Sequence, residues 1–522
     1  MREVMLATFY RFASSLLVAS AVAAGVIHAQ DTAPATALRI EVTAAPALGL
    51  KPVNGRLFVV LGQKESPEPR TTIGQTDKTT PPVLAVDLKA FDGRRAGVID
   101  ARAIAFPVAG LGVVPSGDYV AQALLDTNVD LKSVNAPGNL YSAPLKVHLD
   151  PGAGGVIRLE LTARVPEESL PPSTGLLRFV KLQSKLLSAF WGRPIFLRAG
   201  VILPRDFDSN ASRKYPLRVR IGGYGASYTA VQRMMREGGE FQKAWLAADA
   251  PRAVLVQLDG DGPLGDPYQV NSDNHGPYGD AVTQELIPYI EREFRGMGEP
   301  RARTLDGGST GGWVSLALQV FYPDLFNGTW SSCPDGVDFR AFQLVNIYDD
   351  GNAYVNRAGF ERPSAREING DVRFTMRHEV QLENVMGAGD SWAQSGGQWG
   401  AWNATYGPKG ADGLPVPLWD PKTGVINHSV TDHWRTYDLR LQLEQNWATL
   451  GPKLAGKIHI DIGDADNYFL NNAARMLETF FAAARPAADA RMRFAPMKGH
   501  CYTSITDLEM MKEMGARTGG TP

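Results

Sequence analysis

The segment GGSTG (307–311) has the form G-x-S-x-G, which places a serine hydroxyl at a sharp turn between a strand and a helix. The apparent strand RARTLDGG (301–308) precedes it, and the helix-like run TGGWVSLALQVFY (310–322) follows it. Glycine at both flanks leaves room for the turn, and a helix N-terminus favours negative charge that develops nearby. We therefore interpret Ser309 as a nucleophile that attacks a carbonyl carbon; the alternative is an ordinary glycine-rich loop.

A nucleophilic serine needs a base, and the base needs an acid that orients it. Of the five histidines after Ser309, His500 lies in MKGHCY directly after the last predicted strand, where a base-bearing loop belongs. The acid should follow the strand GKIHIDIGD, and we choose Asp466 in GDADNYFL, with Asp464 in reserve; either also suits a loop or helix-capping role. The order serine, aspartate, histidine is that of the α/β-hydrolases and not of the other two common serine triads.

Stabilisation of an oxyanion needs two backbone N–H groups that point to one position. The residue after the nucleophile, Thr310, is expected to supply one of them. The loop IGGYG (221–225), which ends an earlier strand, is placed to supply the other from Gly223 or Tyr224, because glycine lets the backbone approach a substrate closely. A plain strand-ending turn is the alternative interpretation of this loop.

The two cysteines occupy positions close to this chemistry. Cys333 ends the strand after the nucleophile helix, and Cys501 directly follows His500. Because both loops belong at the carboxyl edge of the sheet, we expect a disulfide between them that fixes the histidine loop, with two unpaired thiols as the alternative. Two cysteines exclude a disulfide scaffold, and no His/Cys/Asp cluster has metal-ligand spacing, so we expect neither a metal nor an organic cofactor.

The segments that carry these residues alternate between apolar strands and helices. Strand-type runs such as PLRVRIGGYG (216–225) and RAVLVQLDG (252–260) alternate with amphipathic segments such as DAVTQELIPYIEREF (280–294). This alternation predicts an α/β fold with a mainly parallel sheet. We place this α/β-hydrolase domain at 176–510 and predict a helix over 176–192 at its start.

A region of short β-type runs and Gly/Pro turns precedes the α/β pattern. It includes GRLFVVLG (55–62) and VIRLELTA (156–163), and no strong helical periodicity interrupts it. The pattern predicts an all-β, sandwich-like N-terminal domain over 36–165. The turn-rich stretch PEESLPPSTG (166–175) is interpreted as a linker to the next domain.

One interval of the second domain lacks the alternation of strands and helices. It spans about 335–450, has weak periodicity and contains six of the ten tryptophans. An insertion of this size in an α/β sheet is expected over the strand ends, so we predict a cap over the site. Its tryptophans suit either an apolar or sugar-stacking cleft, or a packed core.

Residues 1–29 have the pattern of a secretory signal peptide. Arg2 and Arg11 flank a polar start, FASSLLVASAVAAGVI (12–27) is apolar, and cleavage is expected after Ala29. An uncleaved membrane anchor is the alternative. No later stretch is long and apolar enough to span a bilayer. We therefore expect an exported protein, periplasmic or secreted, without membrane attachment after cleavage.

The composition is that of an ordinary globular protein. Of the 522 residues, 44% are apolar and 21% are charged, which argues against a disordered chain and leaves enough apolar residues for a sizeable core. The formal net charge is −2 and no long basic run occurs, so nucleic acid is not an expected partner.

Four stretches resemble the esterase D-like branch of the α/β-hydrolase superfamily: LDGGSTGGWVSLALQVFYPDLFNG (305–328), GPYGDAVTQELIPYIEREFR (276–295), IGDADNYFL (462–470) and MKGHC (497–501). This branch includes feruloyl and acetyl-xylan esterases, enterochelin esterases, mycolyltransferases and S-formylglutathione hydrolases. The resemblance implies for the serine, aspartate and histidine the same roles as above. The all-β region, the large insertion and the IGGYG loop depart from its simplest members, which leaves the substrate open.

These observations together predict an exported serine ester hydrolase that works through a Ser-His-Asp triad and an acyl-enzyme. The expected substrate is a small-molecule or carbohydrate-linked ester. An acyltransferase or peptidase with the same triad is one alternative, and a binding protein with a non-catalytic hydrolase scaffold is another. The acyl and alcohol parts of the substrate and the oligomeric state stay open.

Overall fold

Two large β-sheets form the scaffold of the computed structural model, which describes residues 35–77, 79–167 and 169–521. These residues belong to one compact unit. The expected signal peptide lies outside them. Across the described ranges, no helix has both the length and the apolar character needed to cross a bilayer.

The first sheet contains nine strands: β1 (Leu38–Ala44), β2 (Val53–Gly62), β3 (Val83–Phe91), β4 (Gly97–Ile99), β5 (Ile104–Phe106), β6 (Gly117–Asp126), β7 (Leu140–Ser142), β8 (Leu145–Leu149) and β9 (Gly155–Arg164). Their spatial order is β4-β1-β9-β7-β6-β2-β3-β5, with β8 beside β6. Strands β1 and β9 are parallel, and the other neighbours are antiparallel. The predicted all-β character of the N-terminal region is thereby confirmed.

The second sheet contains eight strands: β10 (Leu177–Ser184), β11 (Ile195–Ile202), β12 (Leu217–Ile221), β13 (Val254–Leu258), β16 (Arg303–Gly308), β17 (Thr329–Ser332), β20 (Ile458–Gly463) and β21 (Ala490–Ala495). Two short hairpins lie outside it: β14 (Asn271–Ser272) with β15 (Gly276–Pro277), and β18 (Pro363–Arg366) with β19 (Val372–Thr375). The spatial order is β10-β11-β13-β12-β16-β17-β20-β21, parallel from β13 onward. This confirms the predicted α/β fold with a mainly parallel sheet.

Helices connect and cover these strands. They are α1 (Lys185–Trp191), α2 (Ala230–Met234), α3 (Glu240–Leu246), α4 (Tyr278–Asp280), α5 (Ile287–Glu293), α6 (Thr310–Phe321), α7 (Met376–Met386), α8 (Gln398–Tyr406), α9 (Thr431–Trp434), α10 (Leu439–Leu454), α11 (Asn471–Ala483) and α12 (Asp507–Thr518). Helices α7 to α10 lie within or at the end of the predicted insertion.

The prediction of a helix over 176–192 is wrong for the first half of that segment. Strand β10 occupies that half and pairs antiparallel with β11 along its whole length. The alternation of buried and exposed side chains is typical of a strand: Val180 and Ser184 are buried, whereas Lys181 and Gln183 between them are exposed. The side chain of Ser184 then accepts the N–H of Leu187 and caps α1, so the helix begins only where the strand ends.

Strand β2 carries an unbroken run of buried residues, and both of its faces are covered by other parts of the protein. Leu57 faces a core made by other strands of the first sheet. Phe58 and Val60, on the opposite face, pack against Leu382 and Val385 of α7 in the insertion. The N-terminal sheet is therefore one of the surfaces that hold the insertion in place.

The six tryptophans of the insertion are all buried and belong to the same apolar core as the second sheet and α6. Trp392 and Trp419 stack with ring centroids 4.5 Å apart, and Trp399 meets Trp402 edge to face at 4.7 Å. Of the two interpretations offered by the sequence, burial favours the packed core for these side chains, and Trp402 also lines a cavity. The insertion shares its core with the sheet beneath it.

Candidate active site

Ser309 lies at the turn between β16 and α6, with φ 59° and ψ −126°. Non-glycine residues seldom adopt such a conformation, which places the side chain at the top of the sheet. A Cβ atom at Gly307 would collide with the backbone of Gly311, and one at Gly311 would collide with the carbonyl oxygens of Ile221 and Gly222. Glycine at both flanks therefore permits the turn, for the steric reason that the motif predicts.

His500 and Asp466 are joined by a 2.8 Å hydrogen bond between Nδ1 and Oδ2. Asp466 is fully buried, and its other oxygen accepts the N–H groups of Tyr468 at 2.9 Å and Leu470 at 3.3 Å. The N–H of His500 donates to the side chain of Asn467 at 2.9 Å. An imidazole that donates from Nδ1 to a carboxylate keeps Nε2 as its basic nitrogen.

The reserve acid Asp464 has a different partner. Its carboxylate forms a 2.8 Å ion pair with Arg475 of α11, and both side chains are partly exposed. Although it lies only two residues from Asp466, it points away from the histidine because the loop turns between them. The structure thus brings one of the two candidate aspartates to His500.

The hydroxyl of Ser309 is not hydrogen-bonded to His500 in this structure. Its Oγ lies 3.4 Å from Oδ1 of Asp335, and no hydrogen bond between described residues joins it to the imidazole. The Nε2 atom of His500 is 4.0 Å from the sulfur of Cys333. Nucleophile–base hydrogen bonds often form only when substrate binds, so this geometry is compatible with His500 as the predicted base for Ser309.

The predicted oxyanion donors lie next to Ser309. A Cβ atom on Gly223 would be 3.7 Å from Cβ of Ser309, and Thr310 opens helix α6. The N–H groups of Gly223 and Tyr224 form no hydrogen bond within the described part of the chain. The hydroxyl of Tyr224 donates to the carbonyl of Gly396, which ties this loop to the insertion. All three residues predicted to supply oxyanion donors therefore lie close to Ser309.

Cys333 and Cys501 are joined by a disulfide, the pairing that their positions predict, with Cα atoms 4.9 Å apart. The bridge links the loop after β17 to the loop that carries His500. The backbone N–H of Ser309 also donates to the sulfur of Cys333 at 3.2 Å. The bridge therefore fixes the histidine loop directly beside the nucleophile turn.

Asp335 is a site residue that sequence reasoning missed. It is only 3% exposed, and its Oδ2 accepts the hydroxyls of Tyr268 at 2.7 Å and Thr310 at 3.0 Å and the indole N–H of Trp402 at 3.2 Å. Burial raises the pKa of this carboxyl, although the donated hydrogen bonds act in the opposite direction. The one signal in the sequence is its position two residues after Cys333, at the carboxyl end of a strand that neighbours β16.

A cavity of about 400 Å³ opens onto Ser309 and His500. Its wall includes the carboxyls of Asp335, Glu379 and Glu383, and among the described residues no lysine or arginine lines it. Burial raises the pKa of Glu379 and raises that of Glu383 to about 8. A larger groove of about 820 Å³ is also lined by Ser309, but His500 does not line it. The smaller cavity, which both Ser309 and His500 line, is therefore the candidate site.

The N-terminal region also reaches this cavity. Gly74 and Thr76, from the segment between β2 and β3, form part of its wall. The carbonyl oxygen of Thr76 lies 3.1 Å from Nε2 of His378, the residue before Glu379 on α7. The sequence offered no motif for a role of this region, and its contribution becomes visible only when the chain is folded.

The mainly parallel sheet and the serine at positive φ between a strand and a helix define the chain as an α/β-hydrolase. A family profile described as "Putative esterase" matches residues 196–511, more than half of the chain. The chain therefore belongs to this esterase family. No curated protein matches it.

Several solved structures are similar to this chain. One is FphF, a fluorophosphonate-binding serine hydrolase of Staphylococcus aureus, with 12% identity over 66% of this chain and 99% of that chain and a TM-score of 0.39. Another is an S-formylglutathione hydrolase from Agrobacterium tumefaciens, with 14% identity, coverage of 68% and 99%, and a TM-score of 0.36. A third is a ferulic acid esterase from Anaeromyces mucronatus in complex with ferulic acid, with 13% identity, coverage of 67% and 94%, and a TM-score of 0.31.

Proposed function

We propose that this protein is a serine ester hydrolase in which Ser309 is the nucleophile, His500 the base and Asp466 the acid that orients it. The observation that carries the proposal is the hydrogen-bonded His500–Asp466 pair, which meets the strained serine turn at one cavity. Membership of the esterase family supports the reaction class. A cavity of about 400 Å³ suits a small-molecule ester or the ester end of a carbohydrate-linked one.

In the acylation half of the reaction, Oγ of Ser309 attacks the ester carbonyl while its proton passes to Nε2 of His500. Asp466 keeps the imidazole in the correct tautomer and stabilises the imidazolium that forms. The carbonyl oxygen becomes an oxyanion, and the N–H groups of Thr310 and of Gly223 or Tyr224 stabilise it. His500 then protonates the leaving alcohol, and the acyl group stays on the serine.

Deacylation repeats these steps with water as the nucleophile. The imidazole of His500 removes a proton from water, which attacks the acyl carbon, and the same proton returns to Oγ of Ser309 as the acid leaves. Each proton transfer uses a group of this chain, and the overall reaction consumes one water molecule. Acyl transfer to another alcohol would follow the same steps with that alcohol in place of water.

We also propose that the protein is exported after cleavage behind Ala29. The apolar segment at residues 12–27 supports this, as does the disulfide between Cys333 and Cys501, because disulfides persist in oxidising compartments. N-terminal sequencing of the protein secreted by its native host tests the cleavage site. A full-length N-terminus in the membrane fraction would contradict it.

Labelling with a fluorophosphonate probe, followed by peptide mapping, tests the nucleophile. We expect a covalent adduct on Ser309 that is absent in Ser309→Ala and strongly reduced in His500→Ala, because the base activates the hydroxyl. An ester screen with analysis of products in the presence of added alcohols or peptide amides then separates hydrolysis from acyl transfer and peptide cleavage. A folded wild-type protein that gives no adduct, or an adduct elsewhere, would overturn the proposal.

A further inference from the structure

The two carboxylate oxygens of Asp335 have unequal surroundings. Oδ2 accepts from Tyr268, Thr310 and Trp402 and lies 3.4 Å from the side-chain amide of Gln398, so its positions for hydrogen bonds are filled. Oδ1 has a single partner among the described residues, the hydroxyl of Ser309 at 3.4 Å. Oδ2 therefore anchors the side chain of Asp335, and Oδ1 faces the hydroxyl of Ser309.

The single partner of Oδ1 is lost during the proposed reaction. When Ser309 attacks a carbonyl, its proton moves to His500 and its oxygen becomes bonded to carbon. Asp335 is nearly inaccessible to solvent, and no described lysine or arginine lines the cavity beside it. A buried carboxylate oxygen without a donor is unfavourable, so the reaction proceeds best when the substrate supplies one.

The geometry of a tetrahedral intermediate indicates which part of the substrate supplies that donor. Its carbon carries four groups: Oγ of Ser309, the oxyanion, the leaving oxygen and the acyl chain. The oxyanion must face the N–H of Thr310, and the leaving oxygen must face His500. The acyl chain is the group that remains for Asp335, whose Oδ1 lies beside the attacking oxygen.

On the basis of the proposed function, we infer that Asp335 is a specificity-determining residue whose Oδ1 accepts a hydrogen bond from a hydroxyl or ammonium group on the acyl part of the substrate, next to the scissile carbonyl. Glu379 and Glu383 line the same cavity, and no described lysine or arginine does. An acyl carboxylate or phosphate would therefore find no lysine or arginine side chain among the described residues of this wall to pair with.

Three ethyl esters with one alcohol and matched acyl groups test this inference: those of phenylpropanoic acid, phenyllactic acid and phenylalanine. They differ only in a hydrogen, a hydroxyl or an ammonium group next to the carbonyl. Values of kcat/KM are measured by acid release for wild type, Asp335→Ala and Asp335→Asn. Because each ester has its own intrinsic reactivity, the ratios between esters are compared from one protein to the next.

We expect wild type to favour the donor-bearing esters over phenylpropanoate, relative to Asp335→Ala, by about 10- to 100-fold, the range for a hydrogen bond to a charged group. In Asp335→Asn, the amide oxygen should take the place of Oδ2, where several donors converge, and leave the NH₂ group facing the acyl chain. The phenylalanine ester should then lose its preference, whereas the phenyllactate hydroxyl can still accept a hydrogen bond. A purely structural role would lower all three rates together.

Asp349→Asn, which changes an exposed carboxylate of the same insertion, is the matched control and should leave the ratios unchanged. Fluorophosphonate labelling of Ser309 reports separately on the nucleophile, since the probe carries no such acyl donor. A labelled Asp335→Ala variant that keeps the wild-type ratios would overturn the role of Asp335, and so would one that favours the donor-bearing esters more than wild type does. Failure of the wild type to label would instead contradict the proposed function.

Discussion

The cavity at Ser309 has two sides that are built in different ways. On the histidine side, Asp466 and His500 lie in short loops after β20 and β21, and one 2.8 Å hydrogen bond joins them. On the insertion side, Asp335 accepts hydroxyl and indole donors that lie 67 residues away along the chain, and Glu383 accepts backbone N–H groups of α8. The first side depends on a few residues at strand ends, and the second depends on packing across the whole molecule.

The two sides of the cavity are therefore expected to have different roles, one in the reaction itself and the other in the choice of ester and in the stability of the fold. The histidine side contains the groups that move protons in the proposed reaction. The insertion side forms most of the cavity wall and is packed against the N-terminal sheet. Changes on the histidine side should therefore lower turnover of every ester, whereas changes on the insertion side should alter the choice of ester or the stability of the fold.

The largest effect is expected from a pair of substitutions on the histidine side. Asp466→Asn should lower kcat by about 10³- to 10⁴-fold, because an amide holds the imidazole of His500 in the wrong tautomer. Asp464→Asn, two residues away, should change kcat by less than about 3-fold, because its partner is Arg475. Steady-state rates with one ester measure both. Equal losses in the two variants would show that the loop matters as a whole and that Asp466 has no special role.

A substitution on the insertion side should affect stability more than chemistry. Leu382→Ala removes a side chain that is 2% exposed and packs between α7 and the N-terminal sheet, so it should lower the free energy of unfolding by about 2–5 kcal/mol. Leu414→Ala, at a side chain that is 38% exposed, is the control and should cost less than about 1 kcal/mol. Urea denaturation measures both values. Similar losses would mean that α7 is not anchored by this contact.

The smallest single step is expected in the pH dependence of stability on the insertion side, where the change is counted for each pH unit. Burial raises the pKa of Glu383 from 4.5 to about 8, so the folded protein holds a proton there that the unfolded chain releases above about pH 4.5. The contribution of Glu383 to the free energy of unfolding is therefore largest below about pH 4.5. It falls as the pH rises towards 8, by at most about 1.4 kcal/mol per pH unit.

Glu383→Gln isolates this contribution, because its side chain stays neutral in both states. Unfolding free energies measured between pH 5 and 8 should fall with pH more steeply for wild type than for the variant. Parallel curves for the two proteins would show that Glu383 is ionised in the folded state.

Much of the histidine side was predictable from sequence because its residues lie where apolar strands end. The carboxyl ends of parallel strands meet at one edge, so Ser309, Asp466 and His500 could be placed near one another before the structure was known. Asp335 follows the same rule, but its surroundings depend on Tyr268 and on an indole of the insertion. Such contacts arise from tertiary packing, and no pattern of residue spacing in the sequence marks them.

The prediction of strands and helices from the sequence is limited in the same way, because local patterns do not reveal tertiary contacts. The all-β region and the parallel sheet follow from alternation and from continuous apolar runs, which local sequence reveals. Strand β10 was predicted as a helix because its apolar residues fit both periodicities, and its pairing with β11 decides between them. The burial of β2 on both faces likewise depends on α7, more than three hundred residues later in the chain.

The disulfide gives this molecule a tolerance to chain cleavage. The bridge from Cys333 to Cys501 encloses the entire insertion, including the exposed stretch at residues 411–414. A protease that cuts there would leave Ser309 on one fragment and His500 on the other, but the two fragments would stay covalently joined beside the cavity. In a protease-rich environment, a nicked protein could therefore retain both halves of its proposed catalytic apparatus.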